Sequence, residues 1–353
     1  MWPLLPEKAS DLVPLPPIDG PKLKPFDFGN DDNIEFLSVL GRGLSGIVFK
    51  ARIGVRIYAL KLFMFQGFPT YDRALEYFDH SPDIAYNWLW QEECFSRECR
   101  AYGRLQEAGR EHLAVKCHGY FLLKKEYEII LEQKFGLGPG TWGWCFDNDG
   151  GPYEEDLASR RDCAEADGNW RPIRVIVKEF IDGDEGIEPA YVKKMAQNLL
   201  DLHALGVIQN DIKEDAYIDG VLVDFSEAYT TPHPRLNAEL SHIYSEQNAF
   251  DLCDADTDKF WDMMHRWNDK NGETRGMLCN RDLGKGYYGH GMTLRCHKEP
   301  GRRKYGIPAD PRRYNWRSGS KKRIRRHAWM FRDNKFRLNY KLPPKSHPPL
   351  PWE

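Results

Sequence analysis

Three short apolar stretches, Ile34–Leu40, Ile47–Ile53 and Ile57–Phe63, are separated by turn residues. The second and third alternate apolar and polar positions at period two, which predicts an antiparallel meander. A helix is predicted within Trp88–Glu107, on an apolar stripe of Phe95, Cys99, Tyr102 and Leu105 that also takes in Ala101. Val115–Leu123 and Ile173–Ile181 read as two further strands. Between them, residues 134–172 are rich in glycine and acids and predict an irregular insertion. Pro189–Leu205 is periodic through Val192, Met195, Ala196, Leu199, Leu200 and Leu202, and Gly206 ends it. Val207-Ile208 and Tyr217-Ile218 flank a polar loop. Asp219-Gly220 signals a tight turn before the apolar run Val221–Phe225. Looser patterns predict helices near 236–247 and 255–269.

Composition adds three things. Hydrophobic residues make up 41% of the 353, with 11 Trp, 17 Tyr and 18 Phe, enough for a substantial core. Seven prolines by Pro25 give residues 1–32 the character of an extended, flexible leader, and "KLPPKSHPPLPWE" at the C-terminus matches it. The net charge of -3 gives no global drive toward nucleic acid, but Gly301–Arg326 holds eleven Lys/Arg against one acid, Asp310. The basic stretch 312–329 therefore reads as a nuclear import signal, a contact for nucleic-acid phosphates, or a partner of the acidic residues at 147–167. There is no apolar leader and no apolar run of about 18 residues, so neither a signal peptide nor a membrane span is expected. The eight cysteines form no CxxC and read as reduced thiols. Cys279, His290, Cys296 and His297 have the spacing of no common zinc finger. Nucleus or cytoplasm is the expected compartment.

The candidate chemistry starts at "LGRGLSGIVF", with Gly41, Gly43 and Gly46 between two strands and Val48 two residues on. A dinucleotide-binding turn would open a helix, so that reading fails on context. Two readings remain, a flap that lets the backbone approach phosphates and a hairpin that needs positive φ angles. Lys61 lies in the apolar strand "YALKLF" and needs an anionic partner there. Glu98 falls on the apolar stripe of the predicted helix and is the best candidate, ahead of Glu92 and Glu93.

The segment "GVIQNDIKEDAYIDGVLVDFSEA", 206–228, resembles the catalytic loop and metal-binding segment of protein kinases. More narrowly, the chain is similar to a family of filamentous-fungal kinase-like proteins, often catalogued as Fta-type kinetochore-complex subunits. "NIEFLSVLGRGLSGIVFKARI", "YALKLF", "ECRAYGRLQEAG", "LAVKCHGY", "IVKEF" and "LGVIQNDIKEDAYIDGVLVDFSEA" carry it, over about residues 22–230. The resemblance implies a two-lobed α+β fold, with an antiparallel-sheet N-lobe (33–183, insertion at 134–172), a mainly helical, atypical C-lobe (184–300) and a basic, Pro-rich tail (301–353).

It also implies roles. Asp211 would orient a hydroxyl and accept its proton, Lys213 would neutralise the moving phosphoryl, and Asp224 would hold Mg²⁺. ATP would contact Gly41, Gly43, Gly46, Val48, Lys61 with Glu98, and Glu179 on the hinge strand 175–183. Several positions depart from the kinase pattern. Gln209-Asn210 stand before Asp211, Ala216 stands where a metal-binding Asn is expected, Ser226 replaces a glycine, and no Ala-Pro-Glu follows. Asp215 or Asp219 would have to stand in for the missing ligand. The expected function is therefore an ATP-binding, weak Ser/Thr-type phosphotransferase with a protein partner or substrate. The alternative is a pseudokinase scaffold at chromatin or the kinetochore.

Overall fold

A computed structural model describes residues 20–29, 33–66, 91–144, 172–237, 246–275, 329–332 and 335–338. At the centre is a five-stranded antiparallel sheet. β1 (Ile34–Gly43), β2 (Gly46–Ile53) and β3 (Arg56–Phe63) form the expected meander. With β4 (Phe65–Gln66), β5 (Cys117–Leu122), β6 (Gly143–Trp144) and β7 (Arg174–Glu179) following in the chain, β7 pairs with β3 and β5 pairs with β7. The order is β1-β2-β3-β7-β5.

The sheet buries both faces, in different ways. Phe49, Ala51, Leu60, Leu62, Val175 and Val177 point to one side. There they meet Tyr127 and Leu131, which lie on the helix Lys125–Phe135. Phe63, Ile176 and Tyr120 point to the other side and join the helical half of the protein. That half begins with α1 (Cys94–Ala108), whose predicted stripe is buried and whose C-cap, Gly109, has the left-handed φ of 62°. The helix on the opposite face, Lys125–Phe135, is α2. α3 (Val192–Ala204) buries the predicted apolar positions.

Short pairs follow. β8 (Val207–Ile208) pairs with β11 (Tyr229–Thr230), and β9 (Tyr217–Ile218) with β10 (Val221–Leu222). The turn between β9 and β10 has φ of 48° at Asp219 and 71° at Gly220, the two positive values that a type I′ hairpin needs.

Three expectations change. Residues 20–29 are not a free leader. Phe26 N–H donates to the Tyr120 carbonyl (2.8 Å) and Tyr120 N–H to the Lys24 carbonyl (3.2 Å), so the segment covers the open edge of β5. Leu23 is 1% exposed and Phe26 and Phe28 pack on the sheet. An edge strand with unpaired backbone groups takes up an extended, Pro-rich neighbour readily. Leu23→Ala is expected to cost about 2–4 kcal/mol in a denaturant melt; a change near zero would restore the leader reading.

Second, the first part of the presumed insertion is structural. Residues 134–144 complete α2 and a short turn, and Leu137 and Trp142 are buried in the sheet's core. Residues 145–171 lie outside the described residues. Third, α4 (Glu246–Arg275) is one long helix that takes in and extends the one expected near 255–269, while residues 238–245, most of the other helix expected near 236–247, lie outside the described residues. Its buried stripe, Cys253, Phe260, Met263, Met264 and Trp267, is interrupted by a buried carboxylate, Asp256. That polar residue made the apolar pattern look looser than it is. The tail contains a hairpin of β12 (Trp329–Arg332) and β13 (Lys335–Leu338). The cluster Cys279, His290, Cys296 and His297 lies outside the described residues, as do residues 312–328 of the basic stretch. No described helix is long and apolar enough to cross a membrane.

Candidate functional site

β3 places Lys61 on the sheet face turned toward α1, opposite Val48 of β2 and Ile176 of β7. Its ammonium lies 2.9 Å from Glu98 and 2.7 Å from Asp224. Glu98 is 0% exposed, as the stripe argument requires, and of the three candidate glutamates it is the one paired with Lys61. Glu92 pairs with Arg97 and Arg235, and Glu93 with Arg174. Burial alone would push the Lys61 ammonium down. Asp224 and Glu98 outweigh it and hold the group above the ordinary lysine value. Asp224 is pushed the opposite way. Burial raises it, but Lys61, Lys178 and the Ser226 N–H (2.8 Å) hold it well below the usual carboxylate range.

Sequence reasoning missed one member of this group. Lys178, in β7, is buried and pairs with the other Glu98 oxygen while donating to the Val223 carbonyl at 2.7 Å. The signal was present: a lysine in "VIVKEF", an apolar strand like that of Lys61. Neighbouring Glu179 alternates to the opposite face, where its carboxylate meets His118 at 2.6 Å. The structure therefore does not bring the Glu179 side chain to the cluster.

The glycines separate the two readings left open above. None of Gly41, Gly43 and Gly46 has positive φ, so the hairpin does not need them for its conformation. Gly46 is needed for close packing, because a Cβ there would lie 2.1 Å from the Leu62 carbonyl oxygen. Gly41 and Gly43 face open space, with nothing within 4 Å of a Cβ. Their lack of side chains leaves the surface clear for a ligand.

Asp211 and Lys213 lie on the loop after β8, 3.1 Å apart and about half exposed. The loop is held from below by Asp256 of α4. This carboxylate accepts the Gln209 and Asn210 N–H groups (2.8 and 2.7 Å) and is 3.1 Å from His203. Burial works against a charged His203, yet Cys253 and Asp256 beside it push its value up to about 10. Gln209, a departure from the kinase pattern, has its own task. Its side chain accepts from the Asp211 N–H (2.9 Å) and donates to the carbonyls of Asp211 (2.8 Å) and Asp224 (3.3 Å). It ties the Asp211 loop to the Asp224 segment. Asn210 has φ of 63°, a left-handed conformation that asparagine tolerates better than most residues.

Ala216 is 1% exposed and belongs to the hydrophobic core. It supplies no ligand atom, and its replacements are elsewhere. Asp215 faces Lys213 at 3.7 Å, and Asp219 forms the β9–β10 turn. Among the described residues no group of three or more His, Cys, Asp or Glu could hold a metal. With alanine at 216 and Asp215 and Asp219 engaged elsewhere, the residues supply only Asp224 of the Asp and Asn pair that holds two metals in kinases.

The segment after Asp224 is fastened to α1 by arginines at helical spacing. Arg97 pairs with Glu92 and Glu227, Arg100 donates to the carbonyls of Thr230 and Pro232, and Arg104 to those of Leu205 (3.0 Å) and Thr231 (2.6 Å). The same helix thus carries Glu98 and grips the chain on both sides of it. His233, buried among these arginines, is pushed down to about 3 and stays neutral.

Residues 12–229 match the family described as "Kinetochore Sim4 complex subunit FTA2". The chain belongs to this family. In this FTA2-family chain the matched region includes the segment 20–29 that covers β5 and ends at Tyr229, five residues past Asp224. It takes in the glycine hairpin, Lys61, Glu98, Lys178 and the Asp211 loop, while Asp256, which supports that loop, falls beyond it. No curated protein matches the chain. Among solved structures, the kinase domain of Mycobacterium tuberculosis PknI, in a mutant form, is similar at 11% identity over 67% of this chain and 74% of that one. Its TM-score is 0.29, too slight a likeness to decide the fold.

Proposed function

We propose that this protein is a kinetochore-complex subunit built on a two-lobed protein-kinase-like fold, which binds ATP between its sheet and its helical half and transfers phosphoryl groups poorly. The observation that carries this reading is the junction of Lys61 with Glu98 and Asp224, at 2.9 and 2.7 Å. Three separate elements converge there, and Lys61 stands opposite Val48 of the glycine hairpin, whose Gly41 and Gly43 have nothing within 4 Å of a Cβ. Lys61 would share its charge with the phosphates, and Asp211 would receive the proton of an attacking Ser/Thr hydroxyl, with Lys213 beside it. Ala216 is the reason for poor transfer, since without the amide ligand of an asparagine there, charge developing on the phosphoryl would be less neutralised.

The family description makes protein partners and a nuclear location part of the same proposal. The basic stretch 312–329 supports nuclear import or phosphate contact. ATP at about 100 times its dissociation constant should add roughly 2.7 kcal/mol of stability. In an autophosphorylation assay with labelled ATP, turnover should stay well below the range of about 1–100 per second typical of kinases. Turnover within that range would refute the weak-enzyme reading.

One observation favours a second reading, a scaffold that binds no nucleotide. Lys61 already has two carboxylate partners inside the protein, so no phosphate is required to satisfy its charge. Absence of any ATP-induced stabilisation would select this reading.

A further inference from the structure

The sheet face turned toward α1 carries more positive charge than one phosphate-binding lysine would require. Lys50 of β2 stands opposite Ala59 of β3, and Ala59 opposite Lys178 of β7. The adjacent row is Val48, Lys61 and Ile176. Residues in register across neighbouring strands share a face. Lys50 reaches over the ring of Phe180, 4.1 Å from its centroid, at the end of β7.

The carboxylates that meet these lysines are Glu98 and Asp224. Glu98 meets a lysine at each oxygen, Lys61 at one and Lys178 at the other. Lys61 also meets Asp224 through the single oxygen Oδ1, which accepts the Ser226 N–H as well. Without Lys178, the trio of Lys61, Glu98 and Asp224 would be net negative, and a polyphosphate could approach it only with a cation. With Lys178 the group is neutral, and Lys50 adds a positive charge on the same face. The missing ligand at Ala216 and the extra lysine at 178 are complementary departures. One removes a metal's support, the other supplies positive charge from the protein itself.

Resting on the nucleotide reading above, we propose that the cleft binds a nucleoside triphosphate without a divalent metal ion, with Lys178 supplying the positive charge that makes this possible. Lys178 acts through Glu98. By neutralising that carboxylate it leaves Lys61 available to the phosphates, and Asp224 no longer imposes a net negative charge on the group.

The test is calorimetric titration of ATP into the full chain, in EDTA and in excess Mg²⁺. Wild type should bind with affinities within about threefold of each other in the two buffers. Lys178→Met should bind at least about tenfold more weakly in EDTA and recover part of that loss in Mg²⁺. Lys178→Arg, which keeps the charge, should stay close to wild type in EDTA. A general structural role for Lys178 would weaken binding in both buffers alike, so the metal dependence separates the two. Wild-type affinity falling by about tenfold or more in EDTA overturns the proposal and leaves the nucleotide reading intact. Equal binding of Lys178→Met and wild type in EDTA also overturns it. No ATP binding in either buffer defeats the nucleotide reading and this inference with it. The wild-type comparison needs no substitution, so it decides the metal question even if Lys178→Met does not fold.

Discussion

Glu98→Ala is expected to destabilise the protein by about 3–5 kcal/mol, the cost of breaking a buried ion pair from one side. The effect should be at the high end because two buried lysines share this one carboxylate. Lys61 and Lys178 both lose their partner, with side chains only 3% and 6% exposed. Lys61 keeps Asp224, whereas Lys178 keeps the Val223 carbonyl, the Tyr102 ring at 5.7 Å and the field of Asp224, none of which replaces a direct ion pair. Lys61→Met should be clearly milder. It leaves Glu98 paired with Lys178, and Asp224 is a third exposed and accessible to water. Denaturant melts of the two variants check the order. If Lys61→Met were as costly as Glu98→Ala, the cluster would depend on Lys61 and not on the shared carboxylate.

Asp256→Ala should cost at least about 3–5 kcal/mol as well, by a different route. Asp256 is 0% exposed and meets three groups at once. Its removal orphans the N–H groups of Gln209 and Asn210, each worth about 1–3 kcal/mol when left buried and unpaired, and strips His203 of its counter-ion. The Asp211 loop would lose its support without any change to Asp211 itself. Asp256→Asn keeps one acceptor for the loop and should fall between wild type and alanine.

pH gives a second check. The folded value of His203 is raised to about 10, so the unfolded chain releases this proton near 6.5 and the folded chain near 10. The stabilisation from its charged form is fully present below about pH 6.5 and is lost as pH rises toward 10. The stability gap between wild type and Asp256→Ala should therefore narrow between pH 6 and pH 10. A constant gap would mean that the backbone hydrogen bonds carry the whole effect.

Much of this arrangement was legible along the chain. Period-two alternation marked β2 and β3, because successive side chains of a strand point to opposite faces of the sheet and meet different surroundings there. Glu98 stood out because a carboxylate on a helix's apolar stripe is tolerable only with a partner, and Lys61 posed the same problem on a strand. Local physics poses such problems, and here a single pairing answered both. What local pattern could not show was who else would share the answer. Lys178 also sits in an apolar run, but only the β3–β7 register turned it to the Lys61 side and sent Glu179 to the other.

The same limit applies to Asp256. Its partners are backbone N–H groups more than forty residues earlier, and no periodicity records a hydrogen bond to a main chain. Residues 1–32 were read as an extended, flexible leader, and the described part of it, 20–29, lies against β5. Whether an extended segment stays free or completes a sheet depends on an open edge elsewhere, and β5 provides it. The sequence by itself determined the five strands of the main sheet, the helices α1 and α3, and that Lys61 and Glu98 needed partners, while α2 went unread. The tertiary structure decided which partners they received, because strand register and helix docking set distances that no single stretch of chain contains.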